Sequence, residues 1–352
     1  MLSRVVGMLS KSCDKSAQEA YCTNEGEHDL ASSAGHTAAS PRALEPGSHP
    51  DASKQIKSFN VHVPSRILSL CGGGHLCVAH LGVLKALREK NVLKYIRGIV
   101  GISAGALMGL MIVLGYTIEQ IERLLYTIDL TIFTGIESES ALFFYQTLCV
   151  NSGQHLETFL KSILENKGFS STATFTEIAG KCSIFFRCYA TRLQESTIQE
   201  FSLEKTPNHS VLFAVRASMC LPILFAPMKD PFSDTFYYDA ALIHNMPFVF
   251  VSEEEKKETL SVYFDIFKQS FDDVDMSTVF QYAFKSFYNL RNIYYLQRYK
   301  DTTLIVKNMR MNFLDSNTKD AKDTLISRGY LACIEHLERK SVRRPLRRYS
   351  VC

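Results

Sequence analysis

A serine flanked by glycines at the junction of an apolar strand and a helix constrains the fold of this chain more than any other feature. Gly101, Ser103 and Gly105 form the pattern GxSxG, and the run Ile96–Ile102 has the β-branched and glycine content of a buried strand. Glycines let a sharp strand-to-helix turn pass close to neighbouring segments, with the serine hydroxyl exposed at its tip. The pattern therefore indicates a nucleophile elbow, although a short GxSxG can also be a turn whose serine only caps the helix.

Predicted strands and helices alternate around this turn. The run Arg66–Cys71 predicts a buried strand and Leu76–Lys90 an amphipathic helix, and a glycine-rich turn joins them. Strand, helix, strand and helix in this order imply a right-handed crossover and a parallel central sheet, and hence an α/β fold. Further strands are predicted at 183–190, 197–203, 236–238, 260–264 and 303–306, and further helices at 118–128, 276–299 and 319–338.

The glycine-rich turn is the second candidate element of a reactive site. Gly72, Gly73 and Gly74 carry no side chains, so their backbone amides can face a developing oxyanion, and His75 follows them. A phosphate-binding loop is the competing interpretation. A Walker-type loop requires GxxxxGK[ST], however, and this helix continues without a Lys, so the loop favours an oxyanion hole over a nucleotide site.

An aspartate at a strand end supplies the third element. Asp239 follows Tyr237 and Tyr238 and precedes two alanines, a position suited to a base, although an isolated Asp there is more often a turn former. A Ser/His/Asp triad would need a well placed His, and His244 is too close in sequence to Asp239 to be an independent member. A dyad in which Asp239 takes the proton directly from Ser103 needs no His.

In this order, the glycine loop, the GxSxG serine and the later aspartate resemble the patatin-like phospholipase family. Two further segments are similar to motifs of that family, VRASMCLPILFAPM at Val215–Met228 and YDAALIHNMP at Tyr238–Pro247. The resemblance extends from about Arg66 to Pro247, and more loosely to Leu337. It implies a three-layer α/β/α patatin-like fold with a mostly parallel central sheet and a nucleophile elbow.

The resemblance also implies an activity, that of a serine lipid acyl hydrolase of the phospholipase A type acting on fatty-acyl esters of phospholipids. By position, Ser103 is the nucleophile, Asp239 the base, and the amides of Gly72–Gly74 and His75 form the oxyanion hole. No metal or cofactor is implied, because acyl transfer by such a dyad needs none.

Three residues depart from the family's motifs. Leu76 and Cys77 end the loop where the family usually has Arg and Gly, and Ala240 follows the aspartate where it usually has Gly. We expect Leu76→Arg to be neutral or to raise turnover, and a positive φ at Ala240 would cost roughly 1 kcal/mol or more. The alternative function is therefore a catalytically impaired member of the family that serves as a lipid-binding or interaction module.

Local composition divides the chain of 352 residues, 46% of them hydrophobic, into three parts. Residues 1–60 are rich in small and polar side chains and are predicted to be a disordered arm. Residues 61–338 are predicted to form the hydrolase domain, with 129–176 as a candidate cap or lid, and 339–352 form a basic tail.

Charge and cysteine content limit the partners and the compartment. The segment 339–348 holds six Lys or Arg after the last acidic residue, Glu338, so we expect no nucleic-acid partner for the domain. For the tail we expect an anionic membrane surface, with a solvated terminus or a transport signal as alternatives. The 10 Cys show no CxxC and no metal-ligand spacing, which favours reduced thiols.

Two features bear on membrane insertion and export. The N-terminal residues lack the apolar core and cleavage site of a secretory signal. The uncharged run Gly98–Ile118 is long enough to span a bilayer, but its glycines and β-branched residues favour a buried strand and helix. We therefore expect a cytoplasmic protein that associates peripherally with membranes and has no transmembrane helix.

Overall fold

Helices and strands alternate along the chain in the computed structural model, which describes residues 65–130, 149–266, 292–309 and 317–342. The strands are β1 (Ile67–Leu70), β2 (Gly98–Ile102), β3 (Phe185–Arg192), β4 (Thr197–Ser202), β5 (Met228–Lys229), β6 (Phe236–Asp239), β7 (Thr259–Ile266) and β8 (Thr303–Met309). The α-helices that lie wholly within these ranges are α1 (Val78–Glu89), α2 (Ala104–Val113), α3 (Ile118–Thr127), α4 (Gln154–Glu165), α5 (Phe175–Ala179), α6 (Val211–Ser218), α7 (Glu253–Lys257) and α8 (Lys319–Val342). The predicted disordered arm, 1–60, lies outside the described residues.

In the described part of the chain, the strands form one sheet of 8 strands whose centre is parallel. Strands β3, β2, β1, β7 and β8 pair in parallel in that order, whereas β4 and β6 pair antiparallel with β3, and β5 with β6. Leu70 of β1 lies opposite Gly101 of β2, and Ile102 lies opposite Tyr189 of β3. The carboxyl ends of these three strands therefore meet at one edge, and the predicted mostly parallel sheet is confirmed.

Helical segments cover the two faces of the sheet unequally. One face, with Leu68 and Ile99, belongs to the large core that includes the buried sides of α1, α2, α4 and α6. The opposite face, with Val100 and Tyr189, forms a smaller cluster with Val251 and the short 3-10 helix Pro247–Phe250. The result is the predicted three-layer arrangement, with one thick and one thin outer layer.

The uncharged run Gly98–Ile118 divides between a strand and a helix. Its first part is β2 and its second part is α2, and every residue of both elements is buried. Thr117 then caps α3, because its hydroxyl accepts from the Gln120 amide at 3.2 Å while the Gln120 side chain accepts from the Thr117 amide at 3.0 Å. Across the described ranges, no helix combines the length and hydropathy that crossing a bilayer requires.

The C-terminal helix begins at the predicted residue, Lys319, and ends later than predicted. Thr318 caps it, since its hydroxyl accepts from the Ala321 amide at 3.2 Å, whereas the side chain of Asn317 accepts from the Leu130 amide at 2.6 Å. Helix α8 also continues to Val342, four residues past the predicted domain end at 338. The first cations of the basic tail are therefore helical, and Arg339 lies 3.8 Å from the Glu335 carboxylate.

The candidate cap or lid at 129–176 is described in part. Residues 131–148 lie outside the described ranges. Helix α4 packs an apolar side into the large core, and Phe159 and Leu160 are buried there. This part of the segment belongs to the body of the domain.

Candidate active site

Ser103 occupies the turn between β2 and α2 in a backbone conformation that is rare for a residue with a side chain. Its φ is 54° and its ψ is −129°. Such a conformation is strained for an L-residue and persists only where the surroundings fix it. Here the Ser103 amide donates to the hydroxyl of Ser218, at the end of α6, at 2.8 Å. The turn therefore has the strand-to-helix geometry that the GxSxG pattern predicts. Ser103 is largely buried, however, at 8% exposure, where an exposed hydroxyl was expected.

The two glycines of the pattern allow neighbouring segments to come into direct contact with the turn. A Cβ on Gly105 would lie 2.2 Å from the carbonyl oxygen of Leu70, and a Cβ on Gly101 would lie 2.6 Å from the Cα of Ala106. Both distances are far shorter than a van der Waals contact, and both neighbours are backbone atoms that cannot rotate away. Any side chain at these positions would separate the turn from β1 or from its own helix.

The strand register explains why Asp239 lies next to Ser103. Strand β4 pairs along one edge of β3, so β2 and β6 share the other edge one after the other. Ile102 is opposite Tyr189, and Asp239 is opposite the following residue, Ala190. The residue after Ile102 therefore meets the end of β6, and the Ser103 hydroxyl donates a hydrogen bond to the Asp239 carboxylate.

The surroundings of Asp239 favour its neutral form. The side chain is buried, at 2% exposure, and burial raises its pKa from 3.8 to about 7. The hydrogen bonds from Ser103 and from the Ala241 amide, the latter at 2.8 Å, oppose this shift without cancelling it. A carboxylate with this pKa can accept and return a proton near neutral pH.

The glycine loop lies against the serine. A Cβ on Gly72 would be 2.8 Å from the Cβ of Ser103. The Gly72 amide donates to the side chain of Asn245 at 2.7 Å and so does not point to a substrate. In the described part of the chain, the amides of Gly73 and Gly74 form no hydrogen bond, and His75 is buried. Of the predicted oxyanion donors, Gly73 and Gly74 are therefore those with a free amide.

The departures from the family motifs have different structural consequences. Leu76 and Cys77 are fully buried in the large core. An arginine at position 76 would have to bury its guanidinium there, so the expectation that Leu76→Arg is neutral or favourable is reversed. The non-glycine residues with positive φ in the described ranges are Asn91, Ser103, Ser196 and Ile223. Ala240 is not among them, so alanine at that position carries no such strain.

The histidines around the site have other partners. The His80 ring nitrogen lies 2.9 Å from the carbonyl oxygen of Cys71, and His209 lies 3.1 Å from the carboxylate of Asp230. The ring of His244 packs against an aromatic side chain.

Sequence reasoning missed three side chains that hold the site together, namely Ser218, Asn245 and His80. Ser218 and Asn245 lie within the segments VRASMCLPILFAPM and YDAALIHNMP, so the motifs that carried the family resemblance contained the signal.

Comparison with known proteins identifies the family. The sequence model of the patatin-like phospholipase family matches residues 68–252, more than half of the chain. This chain belongs to the patatin-like phospholipase family. The matched residues run from β1 to the start of α7 and include the glycine loop, the serine turn and Asp239.

Relatives and a solved structure agree with this membership. An uncharacterized protein of Acanthamoeba polyphaga mimivirus is 26% identical over 56% of this chain and 64% of its own length. A probable lipid hydrolase of Invertebrate iridescent virus 6 is 31% identical over 52% of this chain and 61% of its own. The chain thus spans less than two thirds of both relatives. The crystal structure of VipD from Legionella pneumophila has a similar fold, with a TM-score of 0.50 and 15% identity over 78% of this chain and 66% of VipD.

Proposed function

We propose that this chain is a serine lipid acyl hydrolase of the phospholipase A type, with Ser103 as nucleophile and Asp239 as base. One observation carries the proposal. The hydroxyl of a serine in a strained turn donates to a buried carboxylate whose pKa is about 7. A buried carboxylate with that pKa is suited to take a proton from a hydroxyl at neutral pH.

The first half of the proposed reaction forms an acyl-enzyme. The Ser103 oxygen attacks the carbonyl carbon of the fatty-acyl ester while its proton passes to Asp239. The carbonyl oxygen becomes an oxyanion that the amides of Gly73 and Gly74 stabilise by donating hydrogen bonds. The intermediate then expels the alcohol, here the lysolipid, which takes the proton back from Asp239.

The second half releases the fatty acid. Asp239, ionised again, removes a proton from a water molecule, whose oxygen attacks the acyl carbon bound to Ser103. Collapse of the second oxyanion breaks the bond to the serine oxygen, which regains a proton from Asp239. The cycle returns both residues to their starting state and requires no further group.

Two facts support a lipid as the acyl donor. The chain belongs to a family of phospholipases, and one relative of 31% identity is described as a probable lipid hydrolase. Phospholipid esters are accordingly the substrate class that we propose, in preference to peptides or small esters.

Departures in the glycine loop support a second candidate, a catalytically impaired member of the family that binds lipid. Leu76 and Cys77 replace the usual Arg and Gly, and the Gly72 amide is engaged by Asn245. Oxyanion stabilisation depends mainly on backbone amides, however, and two remain for that role. We therefore favour the active hydrolase.

Incubation of the purified chain with mixed glycerophospholipids and acylglycerols tests the two candidates. Mass spectrometry of the products should show free fatty acids and lysophospholipids, and the matched variant Ser103→Ala should release neither. If wild type binds the lipid vesicles but releases no more fatty acid than Ser103→Ala, the impaired member is the correct description.

For the basic tail we propose a role as a tether to anionic membranes. Arg339 and Lys340 belong to α8, so the cations of 343–348, outside the described residues, are the ones to remove. Each Lys or Arg near an anionic surface contributes about 1 kcal/mol of attraction, which salt weakens. A chain ending at Val342 should sediment less with anionic vesicles at low salt than the full chain, and equal sedimentation would refute the tether.

A further inference from the structure

Asn245 joins the glycine loop to the segment that follows the aspartate. Its side-chain oxygen accepts from the Gly72 amide at 2.7 Å, and its side-chain nitrogen donates to the Gly72 carbonyl at 3.2 Å. The two residues are 173 positions apart in sequence, and Asn245 is buried, at 4% exposure. One amide side chain thus holds both polar groups of one loop residue.

A second buried side chain holds the loop one residue earlier. The His80 Nε2 lies 2.9 Å from the carbonyl oxygen of Cys71, and the His80 ring packs against Phe264 with centroids 4.4 Å apart. Because a carbonyl can only accept, this nitrogen carries the proton and donates. Cys71 and Gly72 are therefore fixed from both sides immediately before Gly73 and Gly74.

We propose that Asn245 is a positioning residue that sets the oxyanion amides of Gly73 and Gly74 relative to Ser103, with His80 as its counterpart. The proposal rests on the function proposed above. A loop of three glycines has no side chains of its own to fix it, and glycine has the largest backbone freedom to lose. Asn245 lies six residues after Asp239, so the same segment carries the base and holds the loop.

The geometry predicts which kinetic constant depends on the two hydrogen bonds between Asn245 and Gly72. The Gly73 and Gly74 amides meet a full negative charge only in the transition state, so their displacement should lower kcat and leave KM nearly unchanged. Asparagine suits the position because it accepts and donates at once. Aspartate keeps the acceptor but loses the donor, and alanine loses both.

The first experiment compares kcat and KM for p-nitrophenyl butyrate. Asn245→Ala and Asn245→Asp should each lower kcat about 100-fold, as loss of one oxyanion donor does, with KM within about 3-fold of wild type. Asn151→Ala is the matched control, since Asn151 is equally buried, at 4% exposure, and accepts from the Gly153 amide at 2.7 Å. It should lower thermal stability with kcat within about 3-fold of wild type.

His80 supplies a second pair of variants should Asn245 variants fold poorly. His80→Gln can still donate to the Cys71 carbonyl and should keep most of kcat, whereas His80→Phe keeps the ring but not the donor and should lose about 10-fold or more. Equal kcat for His80→Gln and His80→Phe would show that the hydrogen bond from His80 does not position the loop.

Hydrogen exchange of the peptide covering 71–77 decides the positioning role without any activity. Asn245→Ala should speed exchange at Gly72 and its neighbours, and Asn151→Ala should not. Unchanged exchange in Asn245→Ala would overturn the inference, as would faster exchange with wild-type kcat. A wild-type chain that hydrolyses no ester would instead refute the proposed function, and the exchange data would still decide whether Asn245 positions the loop.

Discussion

Two buried aspartates lie close to the ends of the β5–β6 hairpin, and they differ in the hydrogen-bond donors that surround them. Asp230 follows β5 and Asp239 ends β6, and they are 6% and 2% exposed. Asp230 accepts hydrogen bonds from the Tyr237 hydroxyl at 2.9 Å, His209 at 3.1 Å and the Phe232 amide at 2.7 Å. Among the described residues, Asp239 accepts from Ser103 and from the Ala241 amide.

The number and kind of donors decide what each carboxylate can do. Burial acts to raise the pKa of Asp230, but the Phe232 amide, His209 and Tyr237 outweigh it, and the pKa lies below 3.8. At Asp239 burial prevails and the pKa rises to about 7. Asp230 therefore remains a charged acceptor that ties the loop together, whereas Asp239 can exchange a proton. We therefore expect the pair that includes a histidine, His209 and Asp230, to be structural.

The largest contrast is expected in catalysis. Asp239→Asn should lower ester hydrolysis by about 10³-fold or more, as Ser103→Ala should, because the two residues act as a unit. Asp230→Asn, the matched change at the other end of the hairpin, should keep kcat within about 3-fold of wild type. Fatty-acid release by the three variants measures this contrast, and the distinction fails if Asp230→Asn is as inactive as Asp239→Asn.

The pH dependence of stability should have opposite signs at the two sites. Between pH 3.8 and 7 the folded chain holds a proton on Asp239 that the unfolded chain releases, so the free energy of unfolding falls as pH rises. Relative to wild type, the free energy of unfolding of Asp239→Asn should rise by up to about 4 kcal/mol between pH 4 and pH 8. The stabilisation from Asp230 is present above pH 3.8 and is lost on acidification through its lower folded pKa.

Urea unfolding followed by circular dichroism measures both effects. Asp230→Asn should be less stable than wild type at pH 7, and the difference should shrink below pH 3.8. A constant difference between wild type and Asp239→Asn from pH 4 to pH 8 would show that Asp239 has an ordinary pKa.

The smallest expected effect concerns one donor. Tyr237→Phe removes the hydroxyl that donates to Asp230 and keeps the ring, which packs edge-on to Phe201 at 5.2 Å. A hydrogen bond to a charged group is worth about 1.5 to 3 kcal/mol, so the variant should lose about that much stability at pH 7. Ester hydrolysis should stay unchanged, and a marked fall in kcat would mean that the Asp230 site contributes to the reaction.

The sequence predicted the elements with strong local patterns. The run Ile96–Ile102 and the GxSxG pattern located β2 and the serine turn, and the helix predicted at 319–338 begins at Lys319 as expected. Local periodicity and glycine placement suffice for such elements. Helix α4 was not predicted, although its buried Leu156, Phe159, Leu160, Ile163 and Leu164 recur at helical spacing. The short strand β5 was not predicted either, because a strand of 2 residues leaves little pattern.

The sequence could not predict how the site is held together. The hydrogen bonds from Gly72 to Asn245 and from Ser103 to Ser218 join residues 173 and 115 positions apart, and no local pattern encodes such pairings. The different pKa directions of Asp230 and Asp239 were equally hidden, since both depend on donors supplied by the folded chain.

We propose that Asp239, with a pKa of about 7, activates Ser103 without a histidine. The rate at which an alkyl fluorophosphonate modifies Ser103 as a function of pH, followed by mass spectrometry, tests it most directly. In wild type and in His244→Gln the rate should rise with an apparent pKa near 7, and in Asp239→Asn modification should be slower by orders of magnitude at every pH. The account would be contradicted if His244→Gln abolished the pH dependence, or if Ser103 of Asp239→Asn reacted at the wild-type rate.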